Sequence, residues 1–181
     1  MKKICKVLVM ILALFLVVGC DNMKKSPTKK VEDLLMKYQA KDTSVLTQLE
    51  DVVKEAGTMN DTQKINYRKL MERQYEDLDY KIKEEKIDGN NATIVVEIEV
   101  YDYGKSITES ETYLTTNKDE FLDEAGAIDS TKFLDYKIKN MQDTKDKIKY
   151  TISFNLTKKD NEWQLEDLSD IDRLKLHGLY Y

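Results

Sequence analysis

The chain has 181 residues, of which 29 are basic, 34 are acidic and 41% are hydrophobic, and its net charge is −5. This length is typical of one domain, and the hydrophobic share is sufficient for a core. The chain has one His, two Cys and six Gly, which are too few to suggest a metal site, a catalytic thiol or a phosphate-binding loop. We therefore expect no cofactor and no bound metal.

The N-terminus has the features of a secretory signal. Lys2, Lys3 and Lys6 precede an unbroken apolar run over residues 7–18. As a helix this run would be about 18 Å long, against a hydrocarbon core of about 30 Å, so a stable transmembrane helix is the weaker interpretation. Residues 1–19 are therefore assigned to a signal peptide.

The signal ends in a sequence that resembles a bacterial lipobox, in which a Cys is lipid-modified and becomes the first mature residue. Gly19 and Cys20 match that motif, and Val17 departs from its usual Leu. Fatty-acyl chains such as palmitate each contribute about 0.8 kcal/mol per buried methylene, and two chains hold a protein stably on a membrane. A chance Cys after an ordinary signal is the alternative. The motif predicts lipidation of Cys20, a short tether over 20–25, and attachment to the extracytoplasmic face of the cell membrane.

Processing before Cys20 changes the composition in an informative way. It removes three of the 29 basic residues, which leaves 26 against 34 acidic residues and a net charge of −8. This balance argues against a nucleic-acid partner, which requires a basic surface. Cys5 leaves with the signal and Cys20 is acylated, so no disulfide is expected. The stability of residues 26–181, the predicted single domain, must then come from its core.

Three amphipathic helices are predicted in the first half. Ser26 and Pro27 form a typical helix start, a second helix follows residues 42–43 and ends at Gly57, and a third begins near Asn60. The residues predicted to face the core at helical spacing are Val31, Leu34, Leu35, Tyr38, Val45, Leu46, Leu49, Val52, Val53, Ile65, Tyr67, Leu70 and Met71.

The hydrophobic period then changes from 3.6 to 2. Residues 78–83 and 94–100 alternate on either side of a turn at 88–91, which predicts an antiparallel hairpin. Residues 105–116 fit either a strand or a helix. Helices are predicted over 119–125 and 130–142, with inward side chains at Phe121, Leu122, Phe133, Leu134, Ile138 and Met141.

The last third contains the clearest alternation of the chain, over residues 148–156. A turn at 158–161 leads into a final strand, where Trp163 is predicted to lie against the core. A short helix then begins at Ser169, with Asp172 completing a capping box, and ends near His177. Its predicted inward residues are Ile171 and Leu174.

Early helices followed by a long antiparallel sheet indicate an α+β fold. The chain resembles the nuclear-transport-factor-two-like lipoproteins of Gram-positive bacteria in its lipobox, its early helices, the hairpin KIDGNNATIVVEIEV and the closing hairpin YTISFNLTKKDNEWQLEDL. The resemblance covers residues 26–168. It implies a cone-like single domain in which helices pack on a curved sheet around a pocket. That fold hosts both enzymes and binding modules, so it implies no reaction.

Few residues in the sequence suggest chemistry. His177 is the only His, and its place in the last turn of a short helix predicts a cation that gains from the helix dipole rather than a metal ligand. The acidic residues of the closing segment, Glu166, Asp167, Asp170 and Asp172, lack the spacing of a calcium loop.

The candidate ligand-binding residues are tyrosines. Tyr80, Tyr101 and Tyr150 could line a cavity at the mouth of the cone, because their rings are apolar and their tips polar. Ordinary core and edge packing is the competing interpretation. The preferred function is a membrane-anchored binding module for an envelope protein or a small apolar ligand. The alternatives are an enzyme with a Tyr and carboxylate site in the cone, and a purely structural domain.

Overall fold

The computed structural model describes residues 26–55 and 57–181 of the chain. The predicted signal peptide, Cys20 and the tether over 20–25 lie outside the described residues. Six helices and four strands follow one another as α1 (Pro27–Gln39), α2 (Thr43–Glu55), α3 (Asp61–Glu76), β1 (Asp79–Asp88), β2 (Asn91–Tyr101), α4 (Tyr103–Thr116), α5 (Ser130–Asp143), β3 (Lys147–Lys159), β4 (Glu162–Leu165) and α6 (Asp170–Leu176). Among the described helices, none combines the length and the apolar character that crossing a bilayer requires.

The strands form one open antiparallel sheet in the order β1-β2-β3-β4, and the helices pack on this curved sheet. The predicted α+β single domain is therefore confirmed. Both hairpin turns lie where the sequence predicted them: Asp88 pairs with Asn91 around Gly89, and Asp160 and Asn161 both have positive φ between β3 and β4. Such turns match the right-handed twist of the strands they connect.

Helix starts follow the capping signals in the sequence. The Ser26 hydroxyl accepts a hydrogen bond from the Lys29 amide at 3.1 Å. Asn60 and Gln63 exchange reciprocal bonds at the start of α3, and Ser169 accepts from the Asp172 amide at 3.1 Å. These bonds satisfy amide groups that have no partner within the first turn of a helix.

Between β2 and β3 the structure decides one open prediction and contradicts another. Residues 105–116, left open, lie within α4. The helix predicted over 119–125 is wrong: only a 3₁₀ turn forms at Lys118–Phe121. The Asp123 carboxylate accepts from the amides of Ala125 and Ala127, and Gly126 has a φ of +78°, so the backbone turns back instead of continuing.

Four residues predicted to face the core are exposed instead. The exposed fractions are 58% for Val52, 54% for Ile65, 53% for Ile171 and 42% for Leu174. Each of them lies on the apolar stripe of its helix. The rest of the domain covers only part of that stripe, because a helix at the edge of a domain packs against its neighbours on one narrow face.

The first hydrophobic core, which we call the sheet core, lies between one face of the sheet and helices α1 and α6. It consists of Val31, Leu35, Leu78, Ala92, Ile94, Val96, Ile98, Val100, Ile152, Phe154, Leu156, Trp163 and Leu176. Trp163 is 7% exposed, which confirms its predicted place in the core.

The second hydrophobic core, which we call the helical core, joins helices α2 to α5. It consists of Val45, Leu49, Val53, Leu70, Met71, Tyr75, Tyr103, Ile138 and Met141. Among the described residues, both cores and the whole sheet draw on elements from α1 to α6. We expect residues 26–181 to fold without the segment that precedes them, because these elements bury two cores of their own.

The C-terminal segment is fixed by close backbone contacts. The Gly104 amide donates to the Gly178 carbonyl at 2.8 Å, and Gly178 has a φ of +69°. A Cβ at Gly178 would collide with the carbonyl oxygen of Tyr101 and with the side chain of Gln74. The Gln74 side chain in turn accepts from the Tyr101 amide at 2.9 Å, so the ends of α3, β2 and α6 are joined.

Candidate ligand-binding cleft

A cleft of about 850 Å³ lies at the boundary between the sheet core and the helical core. Helices α1, α2 and α3 form one side, and β3, the segment after β4 and helix α6 form the other. We call it the seam cleft. Its apolar lining consists of Leu34, Val45, Leu49, Val52, Met71, Phe154, Leu165, Leu168, Leu174 and Leu179. A volume of this size suits a drug-sized or lipid-sized molecule.

Aromatic rings line the seam cleft beside its apolar side chains. Tyr38, Tyr75 and His177 lie together, with ring centroids 5.0 Å apart for Tyr38 and Tyr75 and 5.6 Å apart for Tyr75 and His177. The Tyr75 hydroxyl lies 3.3 Å from Nδ1 of His177, within hydrogen-bond distance. Tyr67 lines the cleft from the same face of α3 as Tyr75.

The ionisable groups of this interior are neutral at pH 7. Burial, and to a smaller extent the positive charge of Arg173, lowers the pKa of His177 to about 4. Burial raises the pKa of the Tyr38, Tyr67 and Tyr75 hydroxyls above the usual value of 10. The predicted position of His177 at the end of a helix is confirmed, since it is the C-cap of α6. Its predicted role as a cation there is wrong, because an imidazolium would be desolvated.

Charged groups lie at the rim of the seam cleft. Glu166 and Asp167 contribute carboxylates from the segment between β4 and α6, Asp170 contributes one from the first residue of α6, and Arg173 contributes one guanidinium. Within residues 26–55 and 57–181, none of these carboxylates lies in an ion pair with a Lys or Arg. Arg173 donates to the Leu168 carbonyl at 3.3 Å. The rim is therefore acidic.

The tyrosines proposed from the sequence lie elsewhere. Tyr80 and Tyr150 flank Ile98 in neighbouring strands, so they share a row across the sheet. Tyr150 donates to the Tyr180 carbonyl at 3.0 Å. None of Tyr80, Tyr101 and Tyr150 lines the seam cleft. Their binding role stays a prediction.

The remaining tyrosine of that set, Tyr101, lies at the end of β2. Its hydroxyl donates to Asp77 at 2.6 Å, and the Arg73 guanidinium lies 3.8 Å from the centre of its ring. The ring is thus held between charged partners of the domain itself.

Three of the seam-cleft residues could have been found from one sequence signal. Tyr67, Met71 and Tyr75 follow one another at intervals of four, so they form a stripe on one face of α3. Tyr38 and His177 carry no such signal, because helices far apart in the chain bring them to the stripe.

A smaller cleft of about 390 Å³ lies between α4 and α5, lined by Ser106, Glu109, Tyr113, Tyr136, Asn140, Asp143 and Thr144. The Tyr113 hydroxyl donates to Glu120 at 3.0 Å, and this hydrogen bond raises the pKa of Tyr113. A tyrosine with a raised pKa is a poor general base at neutral pH. In the part of the chain that the structure describes, no group of three or more His, Cys, Asp or Glu is arranged to hold a metal ion.

No family model matches the chain, and no curated protein matches it in sequence. A solved structure with some likeness is that of YcdA from Bacillus subtilis, a presumed lipoprotein. The sequence identity is 13% and the TM-score is 0.41, over 75% of this chain and 44% of that one. The chain thus spans less than half the length of YcdA. At these values the likeness carries no argument about function, so any function must be derived from this chain's own residues.

Proposed function

We propose that this protein is a lipid-anchored lipoprotein of the extracytoplasmic face of the cell membrane, and that its domain binds the apolar part of a ligand in the seam cleft. The lipobox at Gly19 and Cys20, after a basic start and an apolar run, supports the anchor. The cleft of about 850 Å³ between the two cores carries the binding proposal. The resemblance to the nuclear-transport-factor-two-like lipoproteins belongs to the same proposal, and the helices packed on a curved sheet support it.

The lining of the seam cleft favours binding over catalysis. Its polar interior groups, Tyr75 and His177, contact each other and are neutral at pH 7. Among the described residues, the hydrogen-bonded Tyr and carboxylate pairs, Tyr101 with Asp77 and Tyr113 with Glu120, do not line it. An apolar cavity with a few polar groups is typical of a binding site for a small molecule.

The binding proposal is tested at the mouth of the cleft, where substitutions leave both cores intact. Val52 and Leu174 line the cleft and are 58% and 42% exposed. Replacing both by Lys should weaken binding of the uncharged fluorescent probe N-phenyl-1-naphthylamine by about tenfold or more, because two charges at the mouth disfavour an apolar ligand. Residues 21–181, prepared without the anchor, are used for the titration.

The matched control is Ile65→Lys with Ile171→Lys. These residues are 54% and 53% exposed and do not line the cleft, so the added charge is the same and its location differs. Unchanged probe binding in the control and weakened binding in the cleft variant support the proposal. Equal binding by the cleft variant, the control and the unaltered protein would overturn it.

The anchor is tested by Cys20→Ala in a Gram-positive host. Since lipidation precedes cleavage at a lipobox, the variant should keep its signal peptide, whereas Cys5→Ala should be processed normally because Cys5 leaves with the signal. Intact-mass spectrometry of the membrane fraction distinguishes the forms. An unaltered protein that begins at another residue and carries no lipid would contradict the proposal.

A further inference from the structure

We propose that the ligand of the seam cleft is a single-chain amphiphile with a cationic ammonium group, whose alkyl chain fills the cleft while the ammonium group lies against the acidic rim and the tyrosine rings. This inference rests on the proposed binding function of the cleft. It adds the charge and the chemical class of the ligand.

The first support is the charge at the rim. Glu166, Asp167 and Asp170 contribute three negative charges, and Arg173 contributes one positive charge. The Arg173 guanidinium already donates to the Leu168 carbonyl, and Asp167 and Asp170 form no ion pair within the described residues. A cation at the rim would therefore meet carboxylates without cationic partners, and an anion would be repelled by most of the rim.

The second support is the interior. Tyr38, Tyr67 and Tyr75 direct aromatic rings into the cleft, and the face of an aromatic ring attracts ammonium groups, most strongly where water is excluded. His177 is neutral there, so the positive charge that reaches the rings is that of Arg173, and the three rim carboxylates outnumber it. The faces of the rings and the rim carboxylates thus attract the same sign of charge.

The third support is the division of the lining into two parts. Leu49, Met71 and Phe154 lie deep in the cleft, where they are less than 6% exposed, whereas the carboxylates belong to exposed residues between β4 and the first turn of α6. A molecule with an apolar chain and one charged end fits this arrangement. A molecule charged at both ends would place one charge against apolar side chains.

The test compares three ligands that share a decyl chain and differ in the head group. Decyltrimethylammonium, decyl maltoside and decyl sulfate are titrated below their critical micelle concentrations into residues 21–181 by isothermal titration calorimetry. The expected order of affinity is ammonium, then maltoside, then sulfate, with at least a fivefold preference for ammonium over maltoside that decreases in 0.5 M NaCl.

Two double variants that each remove two negative charges test whether the preference for ammonium arises at the rim. Asp167→Asn with Asp170→Asn should weaken ammonium binding about five- to tenfold and leave maltoside binding unchanged. The control, Asp119→Asn with Glu124→Gln, removes two charges from exposed positions that do not line the cleft, and both affinities should be unchanged. Tyr67→Leu should also reduce the preference for ammonium, and Tyr67→Phe should retain it because the ring remains.

The outcomes separate this inference from the proposed function. Equal binding of ammonium and maltoside would overturn the cationic ligand and leave the apolar site in place. Tighter binding of decyl sulfate would overturn it in favour of recognition by Arg173. Loss of ammonium binding in the control variant as well would show that net charge, rather than the rim, causes the preference, and would also overturn it. Failure of all three ligands to bind would overturn both the inference and the binding function.

Discussion

The sheet core and the helical core are built from different side chains. The buried residues of the sheet core are aliphatic or aromatic side chains without buried polar partners, and those from β2 and β3 alternate along their strands. The helical core is accompanied by four buried polar side chains, Gln63, Gln74, Ser106 and Ser110. Apolar residues at every second position are enough to direct one face of a strand toward the core. The helices of this domain are also positioned by specific hydrogen bonds that buried side chains make. The seam cleft lies where these two types of packing meet.

The largest expected effect concerns the sheet core. Trp163→Ala should lower the free energy of unfolding by about 3 to 5 kcal/mol, because it leaves a cavity at a residue that is 7% exposed. Ile87→Ala, on the same sheet but 51% exposed, should change it by less than about 0.5 kcal/mol. Urea titration of both variants measures the difference. Equal midpoints would contradict the position of the closing hairpin.

The contact between the two regions is tested at Gly178. Gly178→Ala should cost about 2 to 4 kcal/mol, because the new methyl group meets the Tyr101 carbonyl and Gln74 in addition to the strain of a positive φ. Gly126 also has a positive φ, but a Cβ added there would have no atom within 4 Å. Gly126→Ala should therefore cost only about 1 kcal/mol. If thermal melting finds both variants equally stable, the close contact is absent in solution.

A smaller effect should appear on acidification, through His177 in the seam cleft. In the folded chain His177 takes up a proton only near pH 4, and in the unfolded chain it does so near pH 6.5. The unfolded state therefore holds more protons between these values, and stability that is complete above pH 6.5 decreases toward pH 4. At pH 5 the loss is about 2 kcal/mol. His177→Gln should reduce this slope relative to the unaltered protein in denaturant titrations from pH 7.5 to 4.5, and parallel slopes would show that His177 is solvated.

The smallest effect distinguishes polar contacts of the two regions. The Asn140 amide donates to the hydroxyl of buried Ser110 at 2.9 Å, and Thr93 donates to Asn155 at 3.0 Å on the exposed face of the sheet. Asn140→Ala should cost about 1 kcal/mol and Asn155→Ala less than about 0.5 kcal/mol, because only the first leaves a buried group with one partner fewer. A larger loss of stability in Asn155→Ala than in Asn140→Ala would contradict the view that buried hydrogen bonds position the helices.

The sequence predicted the sheet better than it predicted the helices or the cleft. Alternation over 94–100 and 148–156 and the two turns locate β2 and β3, because period and turn chemistry are local, although β2 begins at Asn91 and β3 continues to Lys159. The first strand, predicted over 78–83, continues to Asp88. The helix predicted over 119–125 failed because Asp123 and Gly126 favour a turn, and the apolar spacing at Phe121 and Leu122 concealed that signal.

The seam cleft depended on longer-range information. Its residues come from α1, α2, α3 and the C-terminal segment, and no local pattern shows which helix faces will meet. His177 illustrates the limit. Its place at a helix end could be read from Ser169 and Gly178, but its neutrality arises from burial beside Tyr75, which only the folded chain shows.

The register shift in β1 between Ile82 and Glu84 bears on how copies of this chain behave when they are crowded. In the described sheet β1 is an edge strand, and its outer half carries Lys83, Glu84, Glu85 and Lys86 beside that irregularity. At the opposite edge β4 has only four residues and pairs with the end of β3, while α6 and the C-terminal segment lie along the rest of β3, where Tyr150 and Thr151 bond to Tyr180 and Lys175. A charged, bent edge and an edge covered in this way are poor templates for strand addition by another molecule. Crowding of folded copies should therefore not lead to growth of an intermolecular β-sheet.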